Sequence, residues 1–232
     1  TLTYENAIRK FGCDKPDLRI PLFLEDIKTI VKDEEFKVFS DPANDKDSRV
    51  VALRIPNGVK FTRAKIDEYT NFVAKLGAKG LAYIKINTLD DMQSPILKFI
   101  TDECTNAIAK KVDATDGDLI FFGAGPIDVV NLSMSSLIKK IAEDHDLYVK
   151  DWAPVWIVDF PMFERNSDGN LTSLHHPFTL PKSSIEDLIE SPESSRAHAY
   201  DLVFNGYEIG GGSLRVNEIS MQREIFNILG IS

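Results

Sequence analysis

Asn205-Gly206, set between two runs of alternating apolar and polar residues, fixes more of this chain than any other feature. An Asn-Gly pair in that setting is the strongest short-range signal for a β-hairpin with a two-residue turn. Such a turn places Val203 opposite Glu208 and Leu202 opposite Ile209. Asp201 then shares a sheet face with Glu208 as a diagonal neighbour about 7–8 Å away. Two carboxylates so placed can share a hard cation such as Mg²⁺, which commonly arrives with a nucleotide. Gly210, Gly211 and Gly212 follow and leave a bare strand floor on which a flat ligand could lie. Arg215 closes the segment with a planar fork suited to a carboxylate.

An alternative is a surface hairpin with an acidic face and a glycine-rich flank, because Asp and Glu are common on exposed faces. Against it, three glycines weaken a strand where no turn is needed. Strict alternation also sends Arg215 to the face opposite Glu208, so the two meet only if a β-bulge re-aims the strand. A second cluster, Leu174-His175-His176-Pro177-Phe178-Thr179, offers adjacent histidines for a metal, a proton or a carboxylate. A plain loop histidine fits that cluster equally well. Cys13 and Cys104 have no C-x-x-C partner, which argues against zinc.

The chain reads as two kinds of structure. In the first part, Phe36–Phe39, Arg49–Ile55, Leu81–Ile86 and Asp118–Phe122 read as strands, with a loop over Ser40–Ser48. Thr62 caps a helix whose apolar residues Ile66, Tyr69, Phe72, Val73 and Leu76 recur at helical spacing. Ser94-Pro95 opens a second helix running to about Val112, and a third spans about Ile127 to Asp144. This order describes an α/β unit with helices on one face of a sheet. Phe121-Phe122-Gly123-Ala124-Gly125-Pro126 fits neither phosphate-loop spacing and reads as a strand-to-helix turn. His145 and His198, flanked by charges, read as solvated. After Lys150 the pattern becomes strands, loops and the hairpin, as in an antiparallel sheet.

With 232 residues the chain can bury a good core and form two compact units. Two unpaired cysteines and no secretory signal point to a reducing cytoplasm, and no apolar run approaches the ~20 residues that span a bilayer. The net charge of −9 argues against a surface given over to nucleic-acid phosphates.

Three stretches carry a specific resemblance: Trp152-Ala-Pro-Val-Trp-Ile-Val-Asp-Phe-Pro-Met-Phe-Glu164, Leu174-His-His-Pro-Phe-Thr179 and Asn205-Gly-Tyr-Glu-Ile-Gly-Gly-Gly-Ser-Leu-Arg215. Together with the opening Leu2–Arg19 they resemble bacterial-type aspartyl-tRNA synthetase, a class II enzyme, over essentially the whole chain. The resemblance implies an α+β chain in three segments. Residues 1–30 and 148–232 would be parts of the catalytic domain, with a partial antiparallel sheet. Residues 31–147 would be the insertion shared with a tRNA-dependent amidotransferase and called the GAD domain. The family's anticodon-reading OB-fold and its three class II motifs are not found in this sequence. The expectation is therefore an internal fragment, inactive alone, of a cytoplasmic, homodimeric ligase.

The activity implied is ATP-dependent activation of L-aspartate to aspartyl-adenylate, then transfer to tRNA. Carried over by the resemblance, His175 and Arg215 contact aspartate, Glu208 with Gly210, Gly211 and Gly212 binds ATP, and Asp201 and Glu208 hold Mg²⁺. His176 and Ser213 are weaker candidates, and the insertion supplies no catalytic residue. The competing expectation is a free-standing module that docks tRNA or a protein without catalysis. Such a module would not need the set formed by Asp201, Glu208, the three glycines and Arg215.

Overall fold

The computed structural model describes residues 1–166 and 168–231. In chain order the elements are β1 (Leu2–Thr3), α1 (Tyr4–Phe11), β2 (Leu24–Asp26), α2 (Lys28–Val31), α3 (Lys37–Asn44), β3 (Ser48–Ile55), α4 (Arg63–Ala74), β4 (Ala82–Thr88), β5 (Asp91–Gln93), α5 (Asp102–Lys111), β6 (Leu119–Pro126), α6 (Ile127–His145), β7 (Pro154–Val158), β8 (Phe163–Arg165), β9 (Leu171–Ser173), α7 (Ile185–Glu190), β10 (Ala199–Phe204), β11 (Tyr207–Ser213) and α8 (Ile219–Leu229). The chain divides into two compact units, one of residues Thr1–Ala7, Asp14–Leu18 and Trp152–Ser232, the other of Ile8–Cys13 and Arg19–Asp151.

The larger unit is built on an antiparallel sheet in the order β2-β3-β6-β4-β5. Its two central strands are apolar along their length, Val50-Val51-Ala52-Leu53 and Leu119-Ile120-Phe121-Phe122, and such runs mark strands buried on both faces. Alternation sends Val51, Leu53, Leu119 and Phe121 into a core with Ile66, Tyr69 and Val73 of α4 and Val130, Met134, Leu137 and Ile141 of α6. Val50, Ala52, Ile120 and Phe122 enter a second core with Val31 of α2, Phe39 and Ala43 of α3, and Cys104 and Ile108 of α5. Helices therefore cover both faces of the sheet, which corrects the expectation of one covered face. The interval 31–147 lies within this unit, and β2, which precedes that interval, pairs with β3 through Leu24↔Leu53 and Asp26↔Val51.

Three local expectations are also corrected. Phe36–Phe39 is no strand: Phe36 precedes α3, whose buried Phe39, Ser40 and Ala43 follow helical spacing. That helix takes up half of the expected loop. The helix expected from Ser94 starts later, because the Thr101 side chain accepts from the Cys104 N–H at 3.1 Å and caps α5 there. Ser94 instead holds a turn, its hydroxyl accepting from Ile96 N at 3.1 Å. Gly123–Pro126 is not a turn but the end of β6, paired with β3 from Val51↔Gly123 to Ser48↔Pro126. A Cβ on Gly123 would stand 2.7 Å from Met134 Cγ, so the glycine lets α6 lie close on the strand. Thr62 caps α4 as expected, accepting from Lys65 N at 3.2 Å.

The smaller unit carries the sheet β1-β7-β10-β11, with β1 parallel to β7 and the rest antiparallel. Ala199 and Val203 of β10 and Val155 and Ile157 of β7 face a core with Ala7, Phe160, Leu188 and Ile225. The chain as a whole is a mixed α/β protein.

Candidate active site

The hairpin forms as its sequence demands. Asn205 and Gly206 take φ of 52° and 85°, the left-handed pair of a type I′ turn. The Asn205 side chain also accepts from the Ala153 N–H at 2.9 Å, fixing the turn against the start of β7. Val203 stands opposite Glu208 as expected, but Leu202 stands opposite Gly210 rather than Ile209. Ile209 is the extra residue of a β-bulge. One inserted residue inverts the alternation beyond it, so Gly211, Ser213 and, by the same count, Arg215 fall on the face of Glu208 and Asp201. The bulge on which a meeting of Glu208 and Arg215 depends is present, one residue ahead of the glycines.

The glycine floor is not uniformly bare. A Cβ on Gly211 would run into Asp201 Oδ1, so this glycine admits the carboxylate across the strand pair. A Cβ on Gly212 would stand 2.8 Å from Tyr200 Oη, on the other face. Gly210 alone of the three has open space where a side chain would be.

Asp201 is 6% exposed because its face is also that of Val203 and Ala199. Its carboxylate makes no side-chain hydrogen bond or ion pair to any described residue. Burial raises its pKa, the Glu208 charge adds to the rise, and His175 and Lys15 oppose it. Glu208 pairs with Lys15 at 3.5 Å, and the same ammonium lies 3.1 Å from Asp14. Lys15 therefore stands beside the candidate site residue Glu208, and sequence reasoning missed it. The residues Cys13-Asp14-Lys15-Pro16 bore no signal beyond their place in the resembling opening.

His175 meets Phe160 edge to face at 4.6 Å, and its field reaches Asp201. His176 turns into its own loop, where Nδ1 accepts from the Phe178 N–H at 3.2 Å. The segment that carries both histidines is stitched to the end of the hairpin. Thr179 bridges Arg215, Leu180 N donates to Leu214 O at 2.8 Å, and Val216 N donates to Phe178 O at 3.0 Å. The Thr179 and Ser213 hydroxyls lie 3.5 Å apart. Arg215 is exposed and has no ion-pair partner among the described residues.

Other candidates carry less. Among the described residues no group of three or more His, Cys, Asp or Glu is placed to hold a metal. Burial pushes the Cys104 thiol up to about 12, which leaves it inert. Gly123–Pro126 is paired strand and cradles no phosphate. A cavity of about 950 Å³ in the larger unit lies apart from every predicted site residue, and its Asp41 and Asp67 are paired with Lys37 and Arg63 one helical turn away. His145 is not merely solvated: it stacks on Phe61 at 4.4 Å and meets the Tyr69 hydroxyl at 3.0 Å. No helix among the described residues is long and apolar enough to cross a membrane.

The antiparallel sheet clad in helices on both faces is an α/β domain of a recognisable kind: residues 39–134 match the sequence profile of the GAD domain. The chain therefore carries a GAD domain, a unit found in class II aminoacyl-tRNA synthetases. The match lies inside the larger unit. Asp201, Glu208 and Arg215, with both histidines, lie outside it.

Proposed function

We propose that the smaller unit carries the aspartate- and ATP-binding face of a class II aspartate–tRNA ligase. The observation that carries this reading is the joining of Leu174–Thr179 to the end of the hairpin, with a bulge that aligns Asp201, Glu208 and Arg215. The GAD domain supports it, since that domain belongs with enzymes of this class. In this reading the GAD domain lies towards the tRNA and supplies no reacting group, and the complete enzyme is a cytoplasmic homodimer.

Arg215 offers an unpaired guanidinium, and its two parallel N–H donors fit the side-chain carboxylate of aspartate. His175 contributes a second contact to the amino acid, and Ser213 and His176 stand beside them. Glu208 and Asp201 fit a divalent cation: both are carboxylates on one face, one buried without a partner, over a glycine that leaves room. Mg²⁺ bound there with ATP neutralises phosphate charge. Of the three glycines proposed to bind ATP, Gly210 leaves the backbone open to the nucleotide, Gly211 makes room for the Asp201 carboxylate, and Gly212 does the same for the Tyr200 hydroxyl. The aspartate α-carboxylate oxygen then attacks the α-phosphorus in line, and the bond to the pyrophosphate oxygen breaks. The protein's contribution is chiefly positioning.

The test is aspartate-dependent pyrophosphate exchange by the complete enzyme that contains this chain. Removing one partner of a buried charge pair costs about 2–5 kcal/mol, and each decade of affinity is about 1.4 kcal/mol. Arg215→Lys should therefore raise the aspartate KM by roughly one to three decades while leaving the ATP KM nearly unchanged. Glu208→Gln should do the reverse. Unchanged aspartate kinetics in Arg215→Lys would refute the pocket and favour a docking module.

A further inference from the structure

Lys15 stands in an unusual place for a cation. Its ammonium is 3.1 Å from Asp14 and 3.5 Å from Glu208, and its field also acts on Asp201. Two carboxylates thus pair with one lysine, beside an Asp201 carboxylate that is buried without a hydrogen bond or ion pair to any described residue. Like charges so close repel one another unless a cation lies among them. Lys15 is that cation in the chain as it folds by itself.

Building on the proposed Mg-ATP face, we infer that Lys15 is a positioning residue that serves as the resident counter-ion of the Asp201–Glu208 pair and competes with the divalent cation for it. Its ammonium holds Glu208 before any ligand arrives. The two ion pairs allow an exchange: when a divalent cation takes Glu208, the ammonium keeps the nearer Asp14. A lysine suits this use because its compact charge sits on a flexible stem, so it can give up one carboxylate while keeping another. The side chain is 39% exposed, so solvent weakens the competition without abolishing it. The lysine sets a threshold on cation binding: it keeps the carboxylates aligned and makes a bare metal ion bind less tightly than the carboxylates alone would allow.

The test uses the chain as it stands, with Mn²⁺ as the probe and electron paramagnetic resonance counting free metal, so no activity is needed. Lys15→Met removes the charge but keeps the length of the stem, and Lys15→Gln gives a second neutral variant with a polar end. Both should bind Mn²⁺ more tightly than the parent, by about five- to thirty-fold for one unit charge removed a few Å from a divalent ion in a wet site. Lys15→Arg keeps the charge and should restore an affinity near that of the parent. Glu208→Gln should weaken binding in every background. A structural role for Lys15 would give the opposite sign, since a collapsed site binds metal less well. If the parent binds Mn²⁺ through Glu208 and neither neutral variant binds tighter, the inference fails and the proposed function stands. If no variant shows binding that depends on Glu208, both fail.

Discussion

Replacing the three glycines of β11 one at a time by alanine separates a selective role for each from a common bare floor. A methyl at Gly211 would overlap Asp201 Oδ1 and stand 3.2 Å from Tyr200 O, so the carboxylate or the strand must give way. Overpacking of that kind costs about 1–3 kcal/mol, and the lost freedom of the unfolded glycine returns about 0.4–1 kcal/mol. Gly211→Ala should therefore destabilise the smaller unit by about 1–2 kcal/mol net and push Asp201 away from Glu208. At Gly212 the obstacle is the hydroxyl end of Tyr200, a half-exposed side chain whose ring meets Trp156 edge to face, and a small shift of that end should keep the cost below about 1 kcal/mol. Gly210→Ala meets nothing and should be neutral or stabilising by about 0.4–1 kcal/mol. Both tryptophans, Trp152 and Trp156, lie in the smaller unit, so their fluorescence during urea unfolding reports on that unit alone. Mn²⁺ titration supplies the second reading, in which Gly211→Ala should lose about tenfold in affinity, the equivalent of about 1.4 kcal/mol, while Gly210→Ala loses none. Equal costs at all three positions would refute the bulged register and restore the picture of an even floor.

Arg49 is 7% exposed and donates to Ile8 O at 3.3 Å, Arg9 O at 3.0 Å and Asn131 Oδ1 at 2.6 Å. Arg49→Met would remove three hydrogen bonds of a buried side chain at once and should destabilise the larger unit by about 2–4 kcal/mol in denaturant unfolding followed by circular dichroism, with Arg49→Lys restoring less than half. Burial acts to raise the pKa of Asp144, but hydrogen bonds from Lys140, Lys65 and Tyr69 outweigh it and hold the group at about 2. Because the folded value lies below the unfolded one, this carboxylate stabilises the fold above about pH 4, and the contribution is lost as pH falls towards 2. Asp144→Asn should flatten that acid limb of a stability–pH profile, and an unchanged limb would remove Asp144 from the explanation.

Local chemistry was legible where a few neighbouring residues decide it. The Asn-Gly turn, the Thr62 cap and the helical spacing of Ile66, Tyr69 and Val73 needed no tertiary information. Phe36–Phe39 misled because four residues with two aromatics resemble a strand. The wider spacing of Phe36, Phe39 and Ala43 is helical, and the second core rewards that choice. Two-sided burial was written in Val50–Leu53 and Leu119–Phe122, whose runs do not alternate. The bulge at Ile209 could be required by argument but not located, since cross-strand packing chooses which residue is extruded. Lys15 was invisible because its partner Glu208 lies almost the length of the chain away, and spacing rules do not reach that far.

The short strand β2 has a consequence for how the GAD-bearing unit can be moved between proteins. It covers one side of β3, and its own Leu24 with the preceding Ile20 and Leu22 completes the core on the α4–α6 face. A recombination joint at residue 31 would sever all of this from the sheet. It would leave a long apolar strand with a raw ladder edge, the kind of surface on which unrelated chains zip together. The transferable module thus reaches upstream of the matched interval at least to Arg19, with Ile8–Cys13 also packed into it, and a lineage that trades this domain must carry that leading segment with it.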